Sequence, residues 1–285
     1  DRLPRGEGWQ LHRGAAIDAV CERLASYSSA IGLTAGQIRD LIGRVARLTP
    51  ETGDSSRRRA GRRPALDLPQ GVVLTLVMLR SNMSQATIAH LVGVSQPTVS
   101  RIYRRYLPLI SRALRLSAPR LEEVLTGRLI LLDGTLIPTG TRAGQPELYS
   151  GKRRRPGVNV QVLADTAGRL LAVSRPFPGR THDRAALALT GWEPLLARTA
   201  VIADLGYQGA SVVTPRKTPP GGALSPSDKE SNRNISGIRA AVERAIAHLK
   251  NWKTLSSGYR GRLRDLPAVI QAVTALEFFR LGWNM

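Results

Sequence analysis

The stretch from Arg128 to Thr135, Arg-Leu-Ile-Leu-Leu-Asp-Gly-Thr, constrains the fold more than any other part of the chain. A continuous run of large apolar residues reads as a strand covered on both faces, the middle of an α/β sheet. The run stops at Asp133 and Gly134, which predicts a carboxylate at the carboxyl end of that strand, where open α/β sheets place their chemistry. Such a carboxylate is costly to desolvate unless a cation or a donor compensates it. A solvated turn Asp closing an ordinary strand is the other reading of these residues.

Charge narrows the choice of partner. The 285 residues hold 42 Lys and Arg against 21 Asp and Glu, a formal charge of +21. A field of that size implies a polyanion, nucleic acid before anionic membrane. One cysteine, Cys21, excludes an intrachain disulfide and a Cys-rich zinc site, and four His make an imidazole-built metal centre a poor fit. No apolar run approaches a membrane span and the first residues do not read as a signal peptide, so a protein of a reducing cytoplasm is expected.

Four segments follow from the patterning. Residues 1–49 read as a helical region: Ile17, Val20 and Leu24, then Ile38, Leu41, Ile42 and Val45, recur at helical spacing, with Thr34 as an N-cap. Residues 50–68, rich in Arg, Gly, Ser and Pro, read as a basic linker, either an arm that follows phosphates or a solvated tether. Residues 69–120 carry a helix-turn-helix pattern. An apolar helix runs from Leu68 to Leu79, and a second opens at Ser84 with Ile88, Ala89, Leu91 and Val92 inside. Gly93-Val94-Ser95 turns, and a third helix starts at Gln96 with Ser95 as N-cap and Pro97 in its first turn. Its polar face offers Gln96, Thr98, Ser100, Arg101, Arg104 and Arg105 to DNA, with Val99, Ile102 and Tyr106 facing inward.

Residues 121–285 read as an α/β domain. After the first strand come a strand over 158–164, a turn at 165–168 and a strand over 169–174. Thr181-His182-Asp183 offers an N-cap for a helix reaching Thr190, with a direct part in the active site as the other reading of His182 and Asp183. A fourth strand, 199–204, again ends on a carboxylate, Asp204, and Val212-Val213 suggests a short fifth. Helices over 236–252 and 266–281 finish the chain, with Trp252 in the core or stacked on a base.

On the first of these helices Arg239, Glu243 and Lys250 fall within roughly 40° of one another, at the border of an apolar face of Ile238, Val242, Ile246 and Leu249. Packed on the sheet, that stripe would meet both strand ends. Three carboxylates, Asp133, Asp204 and Glu243, with no His or Cys among them, suit hard cations such as Mg2+ or Mn2+. Two such ions about 4 Å apart can serve phosphodiester chemistry. Taken alone, Glu243 reads better as an ion pair with Arg239 along the helix. The basic stretch Tyr149 to Arg155, with Lys152 and Arg153, reads as a phosphate contact or an exposed hairpin.

Several motifs in order resemble the DDE transposases of bacterial insertion sequences, in the branch of the insertion-sequence-five group and the PIF/Harbinger elements. They are residues 93–101 of the helix-turn-helix, Leu132-Asp133-Gly134-Thr135, Tyr149-Ser150-Gly151-Lys152, Pro178-Gly179-Arg180-Thr181-His182-Asp183, Asp204-Leu205-Gly206-Tyr207-Gln208-Gly209, and Arg239…Glu243…Lys250. Leu205 stands where the family more often has Lys or Ala, and residues 152–155 are unusually rich in Arg. The resemblance implies an RNase H-like mixed-sheet catalytic domain behind an all-α helix-turn-helix region. It further implies that Asp133, Asp204 and Glu243 hold two Mg2+ or Mn2+ ions per site. Lys152, Arg153, Arg239 and Lys250 would contact DNA. The implied activity is cleavage at terminal inverted repeats and transfer of the strand to target DNA, without a covalent protein–DNA intermediate, by a homo-oligomer, a dimer on DNA, in the bacterial cytoplasm. A transposon-derived DNA-binding regulator without catalysis, and a nuclease without strand transfer, are the alternatives.

Overall fold

The computed structural model describes residues 28–49, 64–115 and 119–283. The expectations for Ile17, Val20, Leu24, Cys21 and most of the basic linker lie outside those residues. The chain divides into two compact units, residues 1–115 and 116–285.

The first unit is helical: α1 (Ser28–Ile31), α2 (Ala35–Leu48), α3 (Leu68–Ser81), α4 (Gln85–Leu91) and α5 (Gln96–Ala113). Capping sets the starts. Thr34 accepts from the Gln37 amide while the Gln37 side chain accepts from Thr34, and Asp67 and Gln70 repeat the exchange at α3. Ile38, Leu41 and Val45 of α2 are buried, and α3 is buried without a break from Gln70 to Leu79. A Cβ on Gly71 would overlap the Tyr106 ring, so glycine there lets α3 and α5 pack closely. Gly93 takes a left-handed φ of 66° in the turn between α4 and α5. Ile88, Ala89 and Val92 are buried as expected, but Leu91 is 58% exposed. At 100° per residue it points about 100° away from the mean direction of the other three.

The second unit is a mixed sheet between helices. In chain order it holds α6 (Leu121–Leu125), β1 (Leu129–Pro138), β2 (Tyr149–Ser150), β3 (Arg155–Asp165), β4 (Leu170–Val173), β5 (Phe177–Pro178), α7 (Asp183–Thr190), α8 (Glu193–Leu196), β6 (Ala200–Ile202), α9 (Pro226–Lys250) and α10 (Leu266–Arg280). β3 pairs antiparallel with β1 and with β4, and β1 pairs parallel with β6. A single parallel bridge, Ile202 to Val213, extends the sheet where a fifth strand was expected. This order, three antiparallel strands β4-β3-β1 followed by β6 parallel to β1, is the RNase H-like arrangement. Ile130, Leu132, Leu163, Leu187, Val201 and Tyr207 fill the core on the α7 face. α9 lies on β1 and β3 with Val242, Ala245 and Leu249 buried. Trp252 is fully buried, its indole N–H donating to Glu277 at 3.3 Å.

Two boundaries differ from expectation. β1 does not stop at Asp133 but continues to Pro138, paired with β3 throughout. Gly134 is not a stop: a Cβ there would overlap the Asp183 carboxylate and crowd the Tyr207 hydroxyl, so the missing side chain makes room rather than a turn. α9 begins at Pro226, capped by Ser225, rather than at Ser236. Its first turns carry no buried residue, so hydrophobic periodicity could not mark them.

Candidate active site and nucleic-acid interface

Register brings the first two carboxylates together. β6 ends at Ile202, which lies opposite Leu131 in the parallel pairing. Two residues further along each chain, Asp133 and Asp204 therefore stand level, at the notch where β1 has lost its neighbour on that side. Asp133 Oδ1 accepts from the Gly134 amide at 2.9 Å, and Asp204 Oδ1 accepts from the Gly206 amide at 2.8 Å. Burial pushes the Asp133 pKa up to about 6, and the charges of Asp204 and Asp183 add to this against the opposing pull of Arg239.

Cations surround the pair. Arg239 of α9 comes within 3.9 Å of Asp133 Oδ1, and its Nε is buried with no hydrogen-bond partner. The Lys152 ammonium donates to Asp183 Oδ2 at 2.8 Å and stands 3.9 Å from Asp204 Oδ2. Burial opposes its charge, but the Asp183 hydrogen bond and the three acids outweigh that and raise its pKa. Lys250 moves the other way: burial first, then the charges of Arg153 and Arg155, push its pKa down against a smaller pull from Asp133.

Asp183 takes the less favoured of its two expected roles, capping α7 or a direct part in the site. The first is not taken: the N-cap position is His182 and no side chain makes a capping hydrogen bond there. Asp183 instead turns into the site. Its Oδ1 accepts from Asn159 Nδ2 at 3.0 Å, and Asn159 Oδ1 accepts from Gln161 Nε2 at 3.2 Å. Tyr207, fully buried, donates its hydroxyl to Gln161 Oε1. Burial, then the charges of Asp183, Asp133 and Asp204, hold that phenol protonated. A signal existed: Asn159 and Gln161 are polar residues alternating with Val158, Val160 and Val162 on a strand covered on both sides, where an unpaired amide is expensive.

Glu243 is not brought to the aspartates. It is exposed and forms no ion pair or hydrogen bond among the described residues, and the Arg239–Glu243 pair is absent too, because Arg239 turns to Asp133. Glu243 stands about 40° further round α9 than Arg239, past the border of the buried face. Among the described residues no three His, Cys, Asp or Glu side chains are arranged to hold one ion. Asp133 and Asp204 nevertheless fit a hard divalent cation: they are oxygen donors set level, with a guanidinium already drawn toward one and an ammonium toward the other.

The helix-turn-helix presents a different surface. Gln96, Arg101, Arg104 and Arg105 are exposed on α5, with Thr98 and Ser100 half-buried. Gln96 Nε2 donates to Gln85 Oε1 at 2.6 Å, Arg101 to Thr98 Oγ1 at 3.2 Å and Arg104 Nε to the Ser100 carbonyl at 3.3 Å. None of the three arginines meets a carboxylate among the described residues. Lys152 and Arg153 sit in the tight basic turn between β2 and β3.

The family model "DDE superfamily endonuclease" matches residues 132–277, and "Helix-turn-helix of DDE superfamily endonuclease" matches residues 64–116. The chain is 31% identical over 226 residues to the protein of Streptomyces albus G assigned as transposase of insertion sequence element IS112, covering 79% of this chain and 83% of that one. It is 27% identical over 223 residues to the protein of Microchaete diplosiphon assigned as transposase of element IS702, covering 74% and 80%. A solved structure of a pre-cleavage Mos1 transpososome aligns over 73% of this chain and 78% of that one at 14% identity, with a TM-score of 0.17, too low to bear on the fold. No described helix is long and apolar enough to cross a membrane.

Proposed function

This chain belongs to the DDE superfamily of endonucleases, and from that premise we propose that it is an insertion-sequence transposase that cuts DNA at terminal inverted repeats and joins the freed end to target DNA. The observation that carries this reading is the level pair Asp133 and Asp204, acidic at its centre and ringed by Lys152, Arg239 and Lys250. Acids at the centre hold cations, and cations around them hold a phosphate.

Asp133, Asp204 and Glu243 would hold two Mg2+ or Mn2+ ions, which when bound lower the pKa of an attacking oxygen and stabilise a leaving one. Glu243 lies one turn, about 6 Å, beyond Arg239 on α9, and would have to turn toward the aspartates to join them. Arg239 and Lys250 would add positive charge beside a phosphate held at the aspartates. In the first reaction a water oxygen bonds to phosphorus and the bond to the 3′ oxygen breaks, leaving a 3′-OH. In the second that hydroxyl bonds to a target phosphorus and displaces a 3′ oxygen there, so the number of phosphodiesters is conserved and no energy donor is consumed. Gln96, Thr98, Ser100, Arg101, Arg104 and Arg105 would read the repeat, with a dimer pairing two ends at the bacterial nucleoid.

Incubating the purified chain with a duplex carrying the repeat and with Mg2+ tests this. Nicking followed by joining supports transposition, nicking alone a nuclease, and tight binding without nicking a regulator. Asp204→Ala is expected to lower cutting by at least about a thousandfold and to leave repeat binding within about twofold. Equal loss of both would remove Asp204 from the chemistry.

A further inference from the structure

Beside the acids lies a cleft of about 100 Å³. It opens between the 150–153 turn, the 179–183 segment and the stretch of β1 from Gly134 to Leu136. That is the liquid volume of about three water molecules, enough for a phosphodiester group and too little for a base pair. Its walls are backbone at Gly134, Gly151 and Gly179; a Cβ on Gly179 would overlap the carbonyl oxygens of Leu148 and Gly157.

Three cations line it, Lys152, Arg153 and Arg180. Lys152 has a fixed station, because Asp183 holds it and the buried chain Tyr207–Gln161–Asn159 holds Asp183. Arg153 and Arg180 meet no carboxylate among the described residues. Arg153 also crowds the half-buried Lys250, a repulsion that an anion would relieve. Hydroxyls of Ser150, Thr135 and Thr181 complete the polar rim; no Phe, Tyr or Trp is among the lining residues, and the one ring there is the His182 imidazole.

Resting on the strand-cutting reading above, we propose that this cleft seats one phosphodiester of a single DNA strand beside Asp204, with Lys152 and Arg180 as its cationic contacts. Strand separation at the cut end is then part of substrate recognition. The duplex as such is left to the helix-turn-helix.

The test uses the full chain in EDTA, so that nothing is cut, with labelled decathymidylate and a mixed-sequence duplex of 20 base pairs as probes. Lys152→Met and Arg180→Ala are each expected to weaken decathymidylate about tenfold and to lower the slope of log affinity against log salt by about 0.7, the share of one phosphate on a single strand. Duplex affinity should stay within about threefold, and Lys152→Arg and Arg180→Lys should keep most of the single-strand affinity. Arg180 is exposed and meets no carboxylate among the described residues, so the fold should tolerate its loss, and Arg180→Gln provides a second removal of charge that leaves the Lys152–Asp183 pair intact. Unchanged single-strand affinity and slope, or equal loss on both probes, overturns the proposal. If the wild type never cuts in Mg2+ yet shows these losses, the strand-cutting reading fails and the phosphate seat stands. Cutting without these losses has the opposite meaning.

Discussion

On α5, Arg101, Arg104 and Arg105 stand in solvent without a carboxylate partner among the described residues, whereas Lys152 and Arg239 at the sheet notch are drawn against Asp183, Asp204 and Asp133. The same residue types thus do two physical jobs. Exposed cations meet phosphates additively and are screened by salt. Cations at the notch balance buried acids, so each one's state depends on its neighbours and the loss of one member disturbs the rest.

Gly134→Ala should break this contrast most severely. The added methyl would overlap the Asp183 carboxylate and press on the Tyr207 hydroxyl. A fold loss of about 1–3 kcal/mol is expected from overpacking, read as a lower melting temperature, together with near-complete loss of cutting. Repeat binding by α5, which belongs to the other compact unit, should survive; if it vanished in parallel, the two surfaces would not be independent.

The pH response comes next. Burial and neighbouring charge raise Asp133 from its ordinary 3.8 to about 6 in the folded chain. Below pH 4 it is protonated in both states; between 4 and 6 it ionises in the unfolded chain first, so its contribution to stability falls as pH rises through that window. Melting of the metal-free protein followed from pH 4 to 6 should show a decline that Asp133→Asn flattens. An identical profile in the variant would deny Asp133 its buried setting. Smaller still is Arg104→Ala, expected to weaken repeat binding about five- to tenfold and to reduce the salt slope by about 0.9; cutting per bound end should hold steady. Smallest is Leu91→Ser, which at an exposed position should shift stability by under about 0.5 kcal/mol. A shift as large as that of Ile88→Ser would mean that Leu91 is covered.

Helix-turn-helix and sheet were legible for the same reason: their signals are local. Thr34, Asp67 and Ser84 announce helix starts by bonding to amides three residues away. The run Leu129 to Leu132 announces a doubly covered strand. The start of α9 was illegible because its first turns bury nothing, and the end of β1 was misread because a glycine that makes room looks like a glycine that makes a turn.

The amino-acid sequence by itself determined where most helices and strands form, and that cations outnumber acids 42 to 21, since capping, periodicity and charge are set residue by residue. Only the tertiary structure decided which acids meet. The pairing of Leu131 with Ile202 sets Asp133 level with Asp204, the polar chain from Tyr207 turns Asp183 inward, and the angular setting of α9 leaves Glu243 in solvent while Arg239 reaches the notch. Strand register and helix rotation are fixed by packing between segments far apart in the chain, and a local pattern carries no record of either.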